Sequence, residues 1–153
     1  MTVLSVALYQ PDIPQNAGAL LRLSACLGIR LHIIQPSGFV WSDRRLQRSG
    51  LDYARLAEVV QHASWQAFQA SLGEQRLVLL TTRGAVRLDA FQFHRQDLIL
   101  LGRESAGVPE AVHERADARL RIPMTADARS LNVASSAALV LSRALDQLAL
   151  WPD

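Results

Sequence analysis

The stretch DLILLGRESAGVP, residues 97–109, decides the fold class of this chain of 153 residues. After the opening aspartate, Asp97–Gly102 is continuously apolar instead of alternating between apolar and polar residues, which predicts a strand buried on both faces. A loop bracketed by glycines follows, and proline at the first turn favours a helix over Pro109–Arg115. A buried strand, a loop and a helix in this order are typical of a parallel sheet covered by helices.

The rest of the chain repeats this alternation. Gly28 and Gly73 are expected to end helices, and Ser64 is expected to cap one. The predicted class is therefore α/β, a mainly parallel sheet with helices on both faces, in a single domain over residues 1–153. The further predicted strands are Val3–Tyr9, Leu31–Ile34, Glu58–His62, Leu77–Thr81 and Leu120–Ile122, and the further predicted helices are Ala17–Leu27, Trp65–Leu72 and Leu131–Leu150, with one or two helical turns in Asp43–Ala54.

Composition excludes several classes of protein. The chain is 50% hydrophobic, which supports a packed core and excludes intrinsic disorder, and no apolar run reaches the ~18 residues of a membrane span. All 16 basic residues are arginine, which excludes chemistry that needs a lysine amine. Cys26 is the single cysteine, and no secretory signal begins the chain, so we expect a cytoplasmic protein without disulfides.

Ligands of parallel sheets bind beyond the carboxyl ends of the strands. This rule directs attention to the loops at 10–16, 82–87, 102–108 and 123–130. The four histidines have no metal-ligand spacing, so we expect no metal site.

Two of these loops are joined to helices that carry unusual polar residues. Arg22 lies in the middle of an apolar helix, where arginine needs either a carboxylate partner or a phosphate or reacting oxygen in a cleft. Asn16 has a simpler interpretation as the cap of that helix. Arg129, Ser130 and Asn132 gather at the start of the last helix, and a helix N-terminus attracts anions. That last helix is apolar almost all round, which predicts burial on more than one side and a second subunit.

Three segments, in this order and at these distances, resemble the motifs of the SPOUT RNA methyltransferases. The first is Pro14-x-Asn16-x-Gly18-x-x-x-Arg22 with Gly28, the second is Leu101–Pro109, and the third runs from Ile122-Pro123-Met124 to Ser130-Leu131-Asn132. The resemblance covers essentially the whole chain. It is closest to the minimal members that methylate the ribose of the wobble nucleotide of tRNA, and residues 31–39, 45–53 and 80–82 support that subgroup.

The resemblance implies a fold, a cofactor and an assembly. The C-terminal part of the sheet would be tied in a trefoil knot that holds S-adenosyl-L-methionine, and the active site would lie at the interface of a homodimer. The residues that would contact the cofactor, mostly through backbone groups, are Leu80, Thr81, Gly102, Ile122, Met124, Ser130 and Leu131. The residues that would surround the methyl-transfer centre are Arg22, Asn16, Glu104 and Asn132. Related sequences often have proline where this chain has Arg103, which leaves the local cofactor contacts open.

The expected activity is methyl transfer from S-adenosyl-L-methionine to the ribose 2′-hydroxyl of a wobble cytidine or modified uridine, with leucine tRNAs as the expected substrates. Contacts to the tRNA anticodon loop are expected from Arg44, Arg45, Arg48, Arg55, Arg83, Arg87 and Arg129, each of which has a solvated surface position as the alternative. Two other functions stay open: the same chemistry on ribosomal RNA or another tRNA position, and a non-catalytic RNA-binding dimer. For each of these functions, we expect no binding to a membrane.

Overall fold

The computed structural model describes residues 3–40, 56–83 and 86–153. The helical turns expected in Asp43–Ala54 lie outside these residues. In chain order, the described elements are β1 (Ser5–Tyr9), α1 (Pro14–Leu27), β2 (Arg30–Ile34), β3 (Val59–His62), α2 (Trp65–Ser71), β4 (Arg76–Leu80), β5 (Val86–Arg87), a 3-10 turn (Leu88–Ala90), β6 (Asp97–Leu101), α3 (Glu110–Arg115), β7 (Ala118–Arg121) and α4 (Val133–Leu148).

The described strands form one sheet in the order β3-β2-β1-β6-β4-β7-β5. Every pairing between them is parallel. Leu101 at the end of β6 is level with Leu8 of β1 and Leu80 of β4, and Leu80 is level with Leu120 of β7. The carboxyl ends of these four strands therefore meet at one edge of the sheet, and the predicted α/β class is confirmed.

The apolar run of β6 forms two cores at once. Ile99 and Leu101 belong to the core that α1 and α4 cover, whereas Leu98 and Leu100 belong to the core on the opposite face, with Phe68 of α2. Successive side chains of a strand point to opposite faces, so a strand between two helical layers needs apolar residues at every position.

Asp97 begins β6 with a carboxylate that is fully buried. A buried charge requires compensation, and Arg76 supplies it by donating from Nε and Nη2 to the two carboxylate oxygens over 2.7 and 2.8 Å. The backbone N–H of His94 donates to the same carboxylate over 2.8 Å. These bonds fix the start of β6, whose other end lies at the edge of the sheet where the carboxyl ends of the strands meet.

The start of α1 differs from the prediction. The helix begins at Pro14, and Ile13, whose side chain cannot form hydrogen bonds, occupies the N-cap position. Proline has no N–H to satisfy and has the backbone angle that a helix needs, so α1 starts without a polar cap. The interpretation of Asn16 as the cap is therefore wrong, because Asn16 lies inside the first turn. Gly28 ends the helix in the left-handed conformation at φ 67°, as predicted.

The last helix, unlike α1, is shorter than predicted. Asn132 accepts hydrogen bonds from the backbone N–H groups of Ala134 and Ser135 over 2.8 and 3.2 Å, so α4 starts at Val133. One face of α4 packs into the core beside α1. On another face, Leu139 is 46% exposed, so within one chain the helix is not buried on more than one side.

Residues 86–93 form structure that the sequence analysis missed. Val86–Arg87 pairs with β7 as an edge strand, and Phe91 and Phe93 are buried in the core. The side chain of Gln147 on α4 holds this segment, since it accepts from the N–H of Phe93 and donates to the carbonyl of Phe91. A two-residue strand is too short to show a hydrophobic period.

Candidate functional site

A cavity of about 330 Å³ lies at the edge of the sheet where β4 and β6 end. Its walls come from these strand ends, the loop after β6, the segment after β7 and the first turn of α4. Small-molecule sites are typically about 300–1,000 Å³ in volume. The residues that the sequence analysis assigned to the cofactor all line this cavity: Leu80, Thr81, Gly102, Ile122, Met124, Ser130 and Leu131.

Two glycines shape the loop after β6. The N–H of Arg103 donates to the carbonyl of Gly107 and the N–H of Gly107 donates back, over 3.1 and 2.9 Å. Gly107 has φ +65°, and a Cβ on Gly102 would lie 2.8 Å from the Cα of Gly107. The loop can close this tightly only because Gly102 has no side chain, so the segment is more than an ordinary strand-to-helix turn.

The chemistry of the lining fits S-adenosyl-L-methionine. Apolar side chains such as Leu79, Leu101 and Val108 form much of the wall and suit the faces of an adenine ring. Thr81 and Ser130 add hydroxyl groups that can bond to polar substituents. A mainly apolar wall with a few polar groups is the usual composition of a cofactor site.

Arg103, at the position where the family resemblance led us to expect proline, contacts the end of β1. Its guanidinium lies 5.6 Å from the centre of the Tyr9 ring, and its Nη1 donates to Gln10 Oε1 over 3.4 Å. Arg103 also lines the cavity. Arg103 therefore places a cation in the cavity lining and connects the loop after β6 to the end of β1.

Asn16 and Asn132 are in direct contact. Asn132 Nδ2 donates to Asn16 Oδ1 over 2.8 Å. The first and third motif segments are thus joined beside the cavity, although the lining within the described residues includes neither asparagine.

Glu104 lines the cavity and is held by Asp12, a residue to which the sequence analysis gave no role. The N–H of Asp12 donates to Glu104 Oε2 over 3.3 Å. Burial raises the pKa of Glu104, and a hydrogen bond to the Asp12 carboxyl raises it further. The same hydrogen bond is the main cause that lowers the pKa of Asp12, with help from Ser105, whose hydroxyl donates to the Asp12 carboxylate.

Arg22 lies on an exposed part of α1. In the described part of the chain, the cavity lining does not include it. The structure of one chain therefore brings Asn16, Glu104 and Asn132 together and leaves Arg22 at the surface.

The candidate RNA-binding arginines divide into two groups. Arg44, Arg45, Arg48 and Arg55 lie outside the described residues. Arg129 is exposed and lines the cavity, whereas Arg83 pairs with Glu110 over 2.7 Å and Arg87 pairs with Asp89 over 3.0 Å. Among the described candidates, Arg129 is the one placed at the cavity.

No group of three or more His, Cys, Asp or Glu side chains in residues 3–40, 56–83 and 86–153 could hold a metal ion. In the same ranges, no helix is long and apolar enough to cross a membrane.

A parallel α/β sheet whose second and third motif segments line one cavity, beside the end of β4, defines the class. The model of the SpoU rRNA Methylase family matches residues 3–142, and this chain belongs to that family. A protein of Ancylobacter novellus named tRNA (cytidine(34)-2′-O)-methyltransferase is 55% identical over 146 residues, which cover 94% of this chain and 92% of its own. A protein of Escherichia coli K12 with the same name is 40% identical over 148 residues, which cover 95% and 94% of the two chains.

Solved structures agree with this assignment. One described as "Structural insights into the 2-OH methylation of C/U34 on tRNA" has a TM-score of 0.92 at 41% identity and covers 95% of this chain and 96% of its own. The SpoU methyltransferase AviRb from Streptomyces viridochromogenes, in complex with the cofactor AdoMet, has a TM-score of 0.82 at 27% identity and covers 96% and 61%. The predicted family resemblance is confirmed.

Proposed function

We propose that this chain transfers a methyl group from S-adenosyl-L-methionine to the ribose 2′-hydroxyl of nucleotide 34 of tRNA, a cytidine or a modified uridine. One observation carries the proposal: the second and third motif segments line one cavity, with the first bonded to the third beside it, in a chain 55% identical over 146 residues to a tRNA (cytidine(34)-2′-O)-methyltransferase. The relative solved with AdoMet supports the choice of cofactor. We keep leucine tRNAs as the proposed substrates and the cytoplasm as the proposed location.

The protein contributes mainly alignment to this reaction. The bound cofactor supplies an activated methyl group on a sulfonium. The apolar walls and loop backbones of the cavity orient the donor, since in-line transfer depends on the geometry of the two reacting atoms. Asn16, Glu104 and Asn132 fix the loops beside the transfer centre.

Arg22 is the proposed contact to the RNA at that centre. An arginine keeps its proton above pH ~12, so it is a poor base. Its planar guanidinium binds phosphate in a bidentate fork and stabilises negative charge that develops on the 2′-oxygen.

We further propose that the active enzyme is a homodimer. Arg22 is exposed on α1, outside the described lining of the cavity. Ile13 before α1 and Leu139 on α4 are apolar side chains that are 39% and 46% exposed. A second copy packed against the exposed sides of α1 and α4 would bury these side chains and would bring one chain's Arg22 towards the cavity of the other.

The tRNA would bind through the anticodon loop. Unpaired nucleotides are the usual targets of sequence-specific RNA recognition. Arg129 at the cavity is the described candidate for a backbone contact, and Arg44, Arg45, Arg48 and Arg55 remain candidates from the sequence. The net charge of +2 favours basic residues distributed over two subunits.

The experiment supplies labelled S-adenosyl-L-methionine and total tRNA from cells that lack wobble ribose methylation. Mass spectrometry of the digested product locates the label. We expect it on the 2′-oxygen of nucleotide 34. Label on ribosomal RNA or at another tRNA position would replace the substrate, and a protein that neither labels RNA nor binds the cofactor would be a non-catalytic RNA-binding dimer.

A further inference from the structure

We propose that Asp12 is a positioning residue that shares one proton with Glu104 and thereby holds the loop after β6 against the start of α1, beside the cavity. The inference rests on the proposed function, because it concerns how that cavity is held in shape for the cofactor. It assigns a role to a residue that is not itself part of the cavity lining within the described residues but contacts the lining residue Glu104.

The carboxyl groups of Asp12 and Glu104 lie close enough to shift each other's pKa, and each has one oxygen without a hydrogen-bond partner in the described structure. Glu104 Oε2 accepts from the backbone N–H of Asp12 over 3.3 Å, and the hydroxyl of Ser105 donates to Asp12 Oδ2. Asp12 Oδ1 and Glu104 Oε1 are buried, and neither has a hydrogen-bond partner in the described structure. A buried acceptor without a donor is costly, and a single proton between the two carboxyl groups removes both deficits.

The charges around the pair favour one shared proton over two carboxylates. Desolvation and the Asp12 carboxyl raise the pKa of Glu104, while Asn16 bonds to it and lowers the pKa. The hydrogen bond from Glu104 and the nearby Arg103 lower the pKa of Asp12. Below the raised pKa of Glu104, the shared proton therefore resides on Glu104, with the Asp12 carboxylate as its acceptor.

The pair lies next to the contact that joins the first and third motif segments. Asn16 lowers the pKa of Glu104 and accepts from Asn132 over 2.8 Å. Asn132 caps α4. On its other side, Asp12 packs against Gly38, where an added Cβ would lie 3.0 Å from Asp12 Cβ. Loss of the proton leaves two adjacent carboxylates, which repel and loosen the loop after β6.

The pH range in which the pair holds the loop follows from the directions of the two pKa shifts. Because the pKa of Glu104 is raised in the folded protein, the stabilisation is lost as the pH rises through that raised value. Because the pKa of Asp12 is lowered, the stabilisation is also lost as the pH falls through that lowered value. The loops are held most firmly between these two pH values.

The test is titration calorimetry of full-length protein with S-adenosyl-L-homocysteine from pH 5 to 8.5. We expect wild-type Kd to rise about tenfold over this range, the effect of losing one charge-assisted hydrogen bond. Asp12→Asn is expected to vary by less than about twofold, since its amide donates an N–H to Glu104 at every pH. Asp12→Ala is expected to bind about tenfold more weakly than wild type at pH 5–6.

Glu74→Gln is the control variant, because it also removes one negative charge but at a residue that is exposed in the turn after α2. Its Kd for S-adenosyl-L-homocysteine should vary with pH as the wild-type Kd does. Thermal unfolding without ligand is the second measurement, and Asp12→Asn should gain in Tm over wild type as the pH rises. An Asp12→Asn protein that keeps the wild-type pH dependence in both measurements overturns the inference. A wild type that does not bind S-adenosyl-L-homocysteine refutes the proposed function, and the unfolding comparison then decides the inference alone.

Discussion

Asn132 donates its side-chain amide to Asn16 Oδ1 over 2.8 Å and so joins two residues that are 116 positions apart. The Oδ1 of the same Asn132 accepts from the N–H groups of Ala134 and Ser135. One side chain therefore caps α4 and binds α4 to α1 beside the cavity.

These two tasks of Asn132 can be separated by substitution. Asn132→Ala removes both and should cost about 1–2 kcal/mol of unfolding free energy, whereas Asn132→Ser keeps a capping oxygen and should cost less than about 1 kcal/mol. Serine cannot reach Asn16, so we expect methyl transfer to fall in both variants. Denaturant unfolding and initial rates measure the two effects, and full activity in Asn132→Ser would show that the bond to Asn16 is dispensable.

Substitution of Arg22 should lower turnover without weakening cofactor binding. Arg22→Ala should lower kcat by about 100-fold or more through loss of a cation at the developing charge, with little change in the Kd of S-adenosyl-L-homocysteine. Arg22→Lys keeps the charge but loses the fork geometry and should recover only part of the rate. Near-normal turnover in Arg22→Ala would remove Arg22 from the transfer centre.

Substitution of Gly102 tests whether the loop after β6 must close tightly for the cofactor to bind. In Gly102→Ala the new Cβ meets the Gly107 backbone at 2.8 Å, and we expect about 1–3 kcal/mol of destabilisation with at least about tenfold weaker cofactor binding. Gly73→Ala is the matched control, because Gly73 has φ +57° with no atom within 4 Å of an added Cβ. That variant should lose about 1 kcal/mol from backbone strain and bind the cofactor normally. Equal affinities in the two variants would contradict the role of the loop.

The contact between His32 and His62 leads us to expect that the folded protein is less stable in acid. The two rings are in contact, with His32 Nδ1 2.9 Å from His62 Nε2, and burial lowers the pKa of His32 to about 4. The unfolded chain binds protons near pH 6.5 while the folded chain resists them, so stability is present above that pH and falls as the pH drops towards 4.

The expected loss from His32 is on the order of 3 kcal/mol by pH 4. Urea unfolding at several pH values measures it, and His32→Leu should show a smaller loss between pH 6.5 and 4 than wild type. An equally steep fall in both proteins would assign the acid lability to other groups.

Much of the fold follows from local sequence rules. The continuous apolar run of β6 required helices on both faces, and Leu98 to Leu101 do alternate between two cores. Gly28 ended α1 because only a residue tolerant of positive φ serves there. The edge of the sheet at which we expect the ligand to bind followed from strand direction alone.

The site was predictable where backbone position matters and less so where side chains meet across the fold. The cofactor positions depend on loops that follow particular strands, and they line one cavity. Asn16 looked like a helix cap because no local pattern shows that Asn132 would bond to it. Asp12 was missed for the same reason, since its partner Glu104 lies 92 residues away. The trefoil knot and the dimer stay predictions.

A tRNA that differs in a single atom tests the proposed activity most directly. We would prepare the tRNA that the labelling experiment identifies in two forms, with ribose or with 2′-deoxyribose at nucleotide 34, and supply labelled S-adenosyl-L-methionine. We expect methyl transfer to the first form and none to the second, because the second lacks the accepting oxygen. Equal labelling of both forms would contradict the assignment of the 2′-hydroxyl of nucleotide 34 as the methyl acceptor.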